Sequence, residues 1–228
     1  MEVIKPSSSQ SSQTIVLPLF LYYCEELTSI AKTHGIYLTP HNSRGVEKFQ
    51  SLSIEQQFTI LDALKSYIGQ LQSAIKEEID LTGGDNRKHA WWSLHRLGFR
   101  PSKDLFDQIA EKDIIEIYNC ESIQVFRSFE MLKFLSYSCS EIFSYEWTEL
   151  YSHNEFTFKK IFGMVKSILI GKVQGPISTN FPPHVVVEKF SEKKCWAKMR
   201  HTLLAPLYSA NGSVVGYIST FRAIDHGP

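Results

Sequence analysis

The sequence has no cysteine pair at short spacing. Cys24, Cys120, Cys139 and Cys195 lie far apart, so neither a zinc knuckle nor a Cys-x-x-Cys redox site is written in it, and the plain reading is four reduced, mostly buried thiols. Net charge is missing too. Lys and Arg number 24, as do Asp and Glu, and the halves nearly balance: 12 basic against 13 acidic residues over 1–112, 12 against 11 over 113–228. No whole-chain field exists to hold nucleic acid or anionic lipid, and any such binding must be local. A long apolar run is also absent. The longest, Ile15 to Cys24, spans ten residues, is broken by Pro18 and is closed by Glu25 and Glu26, whereas a membrane crossing needs about 20. No membrane span is expected. Met1 to Thr14 is polar, which predicts no secretory leader and a cytoplasmic protein.

Catalytic signatures are equally sparse. The histidines, at 34, 41, 89, 95, 153, 184, 201 and 226, form no His-x-His and no His-Glu-x-x-His. There is no Gly-x-Ser-x-Gly elbow, no phosphate loop and no Gly-x-Gly-x-x-Gly. No catalytic residue, metal set or cofactor is therefore assigned, and a small enzyme with an unrecognised site is the weakest of the functional alternatives.

What is present suffices for a core: 228 residues with 43% apolar side chains. Residues 1–14 read as a flexible N-terminus, because Ser7 to Thr14 is only Ser, Gln and Thr. Residues 15–112 read as a helical region. Apolar side chains recur helically from about Leu19 to Thr33, stopping near Gly35, and a loop with Pro40, Asn42, Ser43 and Gly45 follows. Ser53-Ile54-Glu55-Gln56 spells a capping box. After it, Ile54, Phe58, Leu61, Leu64, Ile68, Leu71, Ile75 and Ile79 form one apolar stripe, better suited to packing within the chain than to a coiled coil because Gly69 interrupts it. Asn86 to Leu97 reads as another helix, closed by Gly98, with a short one after Ser102.

At Asp113 the period becomes strand-like. Asp113 to Asn119 and Ser122 to Arg127 predict a hairpin, Phe129 to Tyr151 several short helical turns, and Glu155 to Lys172 one helix with Phe158, Ile161, Phe162, Val165, Ile168 and Leu169 on its buried side. Strands are expected over His184 to Phe190, Cys195 to Leu207 and Val214 to Phe221, the last two joined at Asn211-Gly212. Strict alternation puts Met199, His201 and Leu203 on one face and Leu204 on the other. Apolar residues occur on both faces, so both need cover. The fold class is α+β: an N-terminal helical region packed on a C-terminal five-stranded antiparallel sheet, with short helices on one face.

Two strands, several short helices, a longer helix and three strands is the element order of the PAS sensory module, which residues 113–225 resemble, leaving 226–228 as a tail. The resemblance is carried by Phe134-Leu-Ser-Tyr-Ser138, Cys139-Ser-Glu-Ile142, Trp147-Thr-Glu-Leu150, Leu204-Ala-Pro-Leu207, Val214-Val-Gly-Tyr-Ile-Ser219 and Ala223-Ile-Asp225. Ser128 replaces a common Asn and Ser136 a common Gly, marking a divergent member. The resemblance implies a ligand pocket between the long helix and the sheet, bordered by some of Tyr137, Trp147, Phe162, Val165, Met199, His201 and Tyr217. Haem-binding relatives place an iron ligand near His153, whose polar neighbours Ser152 and Asn154 instead suit a cap or loop.

One segment invites a different function. Arg87, Lys88, Arg96, Arg100 and Lys103 are interleaved with Trp91 and Trp92 and contain no acid among them, a pattern that suits nucleic acid. Trp91, Leu94 and Leu97 also share helical spacing, and a buried tryptophan face with a basic rim is the favoured expectation. Taken together, the chain reads as a non-catalytic sensory or regulatory module. It would bind a small ligand or an unidentified signalling protein and act through helix repacking or as a homodimer, with a nucleic-acid-binding regulator as the alternative.

Overall fold

The computed structural model describes residues 8–82, 84 and 86–228, with side chains from Ile15 onward apart from positions 83 and 85. Residues 1–7 of the expected flexible lead-in lie outside the described residues. Helix α1, Ser8–Thr33, begins well before the expected Leu19 and carries Pro18 inside it. Gly35 ends it at φ 74°, with its amide donating to Lys32 and that of Ile36 to Ala31, a stop that needs a left-handed residue. Helix α2, Ser43–Ser51, occupies what reads as a loop in the sequence. Asn42, expected as a turn residue, is its N-cap, accepting the Gly45 amide at 2.9 Å. Helix α3, Ile54–Lys76, starts at the expected box: the Ser53 amide donates to Gln56 Oε1 at 3.0 Å and the Gln56 amide to Ser53 Oγ at 3.2 Å.

Helix α4 spans Asn86–Leu97, followed by strand β1 at Arg100–Pro101 and the short α5, Leu105–Gln108. The hairpin β2, Ile114–Asn119, and β3, Gln124–Arg127, leads into a 3-10 helix over Phe129–Phe134. Short α6, Cys139–Ser144, and α7, Trp147–Leu150, precede the two-residue β4, Tyr151–Ser152, and α8, Glu155–Leu169. The chain ends with β5, Ile177–Ser178, β6, His184–Glu188, β7, Trp196–Tyr208, and β8, Val214–Gly227. The chain is thus mixed helix and antiparallel sheet, and no described helix is long and apolar enough to cross a membrane.

Two compact units form. One comprises the chain up to Ile68 together with Tyr137–Trp147, the other Gly69–Ser136 together with Thr148–Pro228. This grouping differs from a division at residue 112. Within the helical unit Phe20 of α1 stacks on Phe49 of α2 with ring centroids 3.9 Å apart, and Leu27, Leu64 and Tyr67 are buried with them. Its discontinuous piece is held by backbone. The amides of Cys139 and Ser140, at the start of α6, donate to the carbonyls of Thr39 and Pro40 at 2.8 and 3.0 Å. Leu64 of α3 lies in this unit and Leu71 in the other, and both are fully buried within the chain. Most of the apolar stripe on α3 is consumed internally, leaving Phe58 and Ile75 exposed.

In the sheet unit the strand path is β3-β2-β8-β7-β6-β4, with β1 and β5 pairing β7, so the sheet is larger than the five strands expected. Strand β8 also runs six residues beyond the expected Phe221, through Gly227, and takes in most of the supposed tail. Ladder β7/β8 is interrupted between Lys198 and Met199 and between His201 and Leu203. Each bulge inserts a residue and resets the alternation. His201 consequently pairs with Phe221 and Leu204 with Ser219, so Leu204 shares a face with Met199 and His201, and Leu203 turns to the other side. Both faces have helical cover: α4 packs on β1, β2 and β3, and α8 lies along β7 and β8.

Two substitutions test these local assignments. Glu78, exposed at φ 55° just beyond α3, occupies a left-handed stop like that of Gly35. Glu78→Gly is expected to raise stability by up to about 1 kcal/mol in urea denaturation. A Cβ at Gly45 would come within 2.7 Å of the Glu141 amide nitrogen and closer still to Ser140 Oγ. Gly45→Ala is therefore expected to lower stability by about 1–3 kcal/mol in the same assay.

Candidate functional site

The sheet face shared by β6, β7 and β8 carries the densest set of partly polar side chains. The register puts His184 opposite Met199 and His201 opposite Phe221, with Ser219 and Tyr217 following on the same face. His201 is buried and makes two hydrogen bonds. Its Nε2 lies 3.0 Å from Ser219 Oγ and its Nδ1 3.0 Å from Thr179 Oγ1. With one ring nitrogen protonated and one bare, the neutral imidazole can satisfy both hydroxyls, donating to one and accepting from the other. Burial, and secondarily the neighbouring His184, hold its pKa down at about 4. Phe181 closes one side, its ring centroid 6.3 Å from that of His201.

His153 belongs to the same region. It immediately precedes Asn154, which caps α8 by accepting the Thr157 amide at 3.1 Å. The His153 ring has Phe158 at 5.9 Å and His184 at 6.5 Å between centroids. Burial, His184 and Lys189 hold its pKa at about 4. The imidazole is a neutral member of an aromatic cluster as well as a residue beside a cap. Among the described residues no three His, Cys, Asp or Glu side chains gather as a metal-ligand set. Ring neighbours of His153 include Tyr151, Phe158 and His184, and no step is assigned to haem there.

The sequence-selected pocket residues divide. Met199, His201 and Tyr217 do share this face. Val165 is buried on the inner side of α8 with Thr157 and Ile168. Phe162, expected on that side, is 46% exposed, because the helix turns Thr157, Val165 and Ile168 inward and leaves Phe162 at the margin. Tyr137, buried, and Trp147, half-buried, belong to the helical unit. Tyr217 is engaged elsewhere on the face: it stacks on Tyr118 at 4.9 Å, and burial pushes its phenol up to about 12.

Thr179, Phe181 and Ser219 were not selected from the sequence. Thr179 and Phe181 fall in what reads as a Pro-rich loop, and only pairing of the two-residue β5 with β7 brings them to His201. Glu188, at the end of β6, was not selected either. This buried carboxylate accepts the amides of Ser136 at 2.8 Å and Cys195 at 3.1 Å, together with the hydroxyls of Ser136 and Ser191. Ser136 is thus an anchor. The arrangement is rich in neutral donors and acceptors. Ser219 is buried, and His201 has a threonine rather than a carboxylate behind it, so the set suits binding or packing better than nucleophilic catalysis. No protein-family model and no curated protein matches the chain.

The basic segment is arranged differently from the favoured expectation. Arg87, Lys88, Arg96 and Arg100 are exposed, and Trp91 is exposed with them at 51% rather than buried in a stripe. Helix α4 instead turns His89, Ala90, Ser93 and Leu94 inward, His89 meeting Phe126 edge-on at 4.8 Å. Burial holds the pKa of His89 at about 4.

These three depressed histidines set the expected acid response. At neutral pH the folded and unfolded chains both hold mostly neutral imidazoles. As pH falls below about 6.5 the unfolded chain takes up protons first, so stability falls until about pH 4 and levels there. Each of His89, His153 and His201 removes up to about 2 kcal/mol by about pH 5. Urea denaturation across that range should show the decline, and His201→Gln should flatten part of it.

Proposed function

We propose that the chain is a non-catalytic, cytoplasmic sensory or regulatory module whose sheet unit is PAS-like, taking a small uncharged ligand or a protein partner on the His201 face and passing its output to another protein. The observation that carries this reading is strand order. Among β2, β3, β6, β7 and β8, numbered one to five by sequence, the antiparallel path runs 2-1-5-4-3, the order of the PAS sheet. The short helices and α8 fall between the second and third of these strands, as they do in that family. The free state of the four cysteines is in keeping with a reducing compartment.

A ligand acts only through unequal affinity for two packings of the protein. Three neutral imidazoles, two hydroxyls and aromatic rings would favour an uncharged planar molecule with a carbonyl or hydroxyl over an ion, because nothing on this face compensates a buried charge. A homodimer remains part of the proposal, using helical surface other than the buried stripe of α3.

Native mass spectrometry of the whole chain reports a bound molecule and the oligomeric state together. A neutral small molecule on the purified protein, lost in His201→Phe without loss of the folded charge-state envelope, is the expected result. A molecule retained by His201→Phe would remove this face as the site. An empty chain, with no thermal shift on screening uncharged aromatic compounds, would leave partner binding as the role.

A further inference from the structure

The outward arc of α4 bears the features of a nucleic-acid contact surface. Ala90, Ser93 and Leu94 are turned inward, which leaves Arg87, Lys88, Trp91, His95 and Arg96 exposed on the opposite arc. From residue 86 to residue 103 there are five Lys and Arg and no Asp or Glu. Among the described residues no carboxylate pairs with Arg87, Lys88, Arg96 or Arg100. Among the described residues these four cations therefore have no ion-pair partner.

The surface is also held in place. Gly98, at φ 68°, ends α4 with its amide donating to His95 and that of Phe99 to Leu94, and Arg100 then enters β1 opposite Tyr208. The Arg96 guanidinium is fixed by Ser73 Oγ at 2.6 Å, and the rings of Trp91 and His95 lie 26° from parallel.

We propose that this arc of α4, continued by Arg100, binds single-stranded nucleic acid, the cations taking phosphates and the Trp91 indole stacking on an unpaired base. Three considerations choose this occupant. A duplex keeps its bases stacked on one another and offers the indole no face. A bilayer surface would need a broad apolar face to insert, and among the described residues Trp91 is the one exposed large apolar side chain on the arc, Leu94 being buried and Leu97 half-buried. An acidic peptide would satisfy the cations but gives no role to an exposed indole, whereas stacking on a base is insensitive to sequence. The inference is independent of the sensory reading, since α4 covers the opposite sheet face from His201.

The test is fluorescence anisotropy of the full chain with labelled oligo(dT) and oligo(U) of about 20 nucleotides. Binding is expected with a log–log salt slope of about −3 for four phosphate contacts. Trp91→Ala should weaken it about tenfold. Arg87→Gln with Lys88→Gln, both on exposed side chains, should weaken it further and flatten the slope while leaving the melting temperature unchanged. Trp91→Phe should retain most of the affinity but lose the quenching of tryptophan emission by the oligonucleotide. Absence of binding at about 50 mM salt, affinity unmoved by Trp91→Ala, or tighter binding to polyglutamate or to phosphatidylserine vesicles would each overturn the proposal.

Discussion

The ladder between β7 and β8 is the constraint on which the sheet unit depends. It pairs two strands of 13 and 14 residues, and every other strand except β3 and β4 joins one of these two directly. Its bulge at Thr202 on β7 decides which side chains beyond it share a face with His201. Without the extra residue near Thr202, His201 and Leu203 would share a face as strict alternation dictates. With it, Thr202 is freed to reach Thr220 Oγ1 at 2.6 Å and Asp113 Oδ2 at 3.4 Å. Asp113 in turn accepts two hydrogen bonds from Arg222 at 3.0 and 2.7 Å. The irregularity in the ladder is tied down by this network across β2, β7 and β8.

A sheet covered on both faces has to bury polar atoms, and this one meets the cost by local saturation. Glu188 is surrounded by amides and hydroxyls, Asp113 by an arginine, a threonine and the Ala110 amide, and His201 by two hydroxyls. His89 is one of the exceptions: neither ring nitrogen has a hydrogen-bond partner, and it lies against Phe126 inside the α4 cover. A buried group left so costs on the order of 1–3 kcal/mol. Between saturated and unsaturated sites the chain has a stable sheet and a cover whose inner side is less well satisfied.

What was legible in the sequence follows from range. The Ser53 box, the Asn211-Gly212 hairpin and the β2/β3 hairpin are written in residues within a few positions of each other and form as read, while α8 starts at the expected Glu155 but ends at Leu169 with Phe162 exposed. The pairing of Thr39 and Pro40 with Cys139 and Ser140, or of Thr179 with His201, is decided by chain segments far apart or by two-residue strands too short to show a period. Trp91 was misplaced for another reason. Ala90-Leu94 and Trp91-Leu94-Leu97 are both helical stripes, and close packing on β2 and β3, with His89 against Phe126, favours the arc with Ala90 and Ser93.

The two hydrogen bonds from Cys139 and Ser140 back to Thr39 and Pro40 also bear on biosynthesis. Each compact unit is made from two separated stretches, so neither can be completed as the chain emerges from the ribosome in order. The cover that α6 gives to α1 and α2 must wait for residues 137–147, which begin about 90 residues after the end of α2. At about 5–20 residues per second that interval is several seconds. Throughout it the nascent helices present greasy surface to chaperones and to one another, and the yield of native protein will depend on how fast translation crosses the intervening sheet-forming segment.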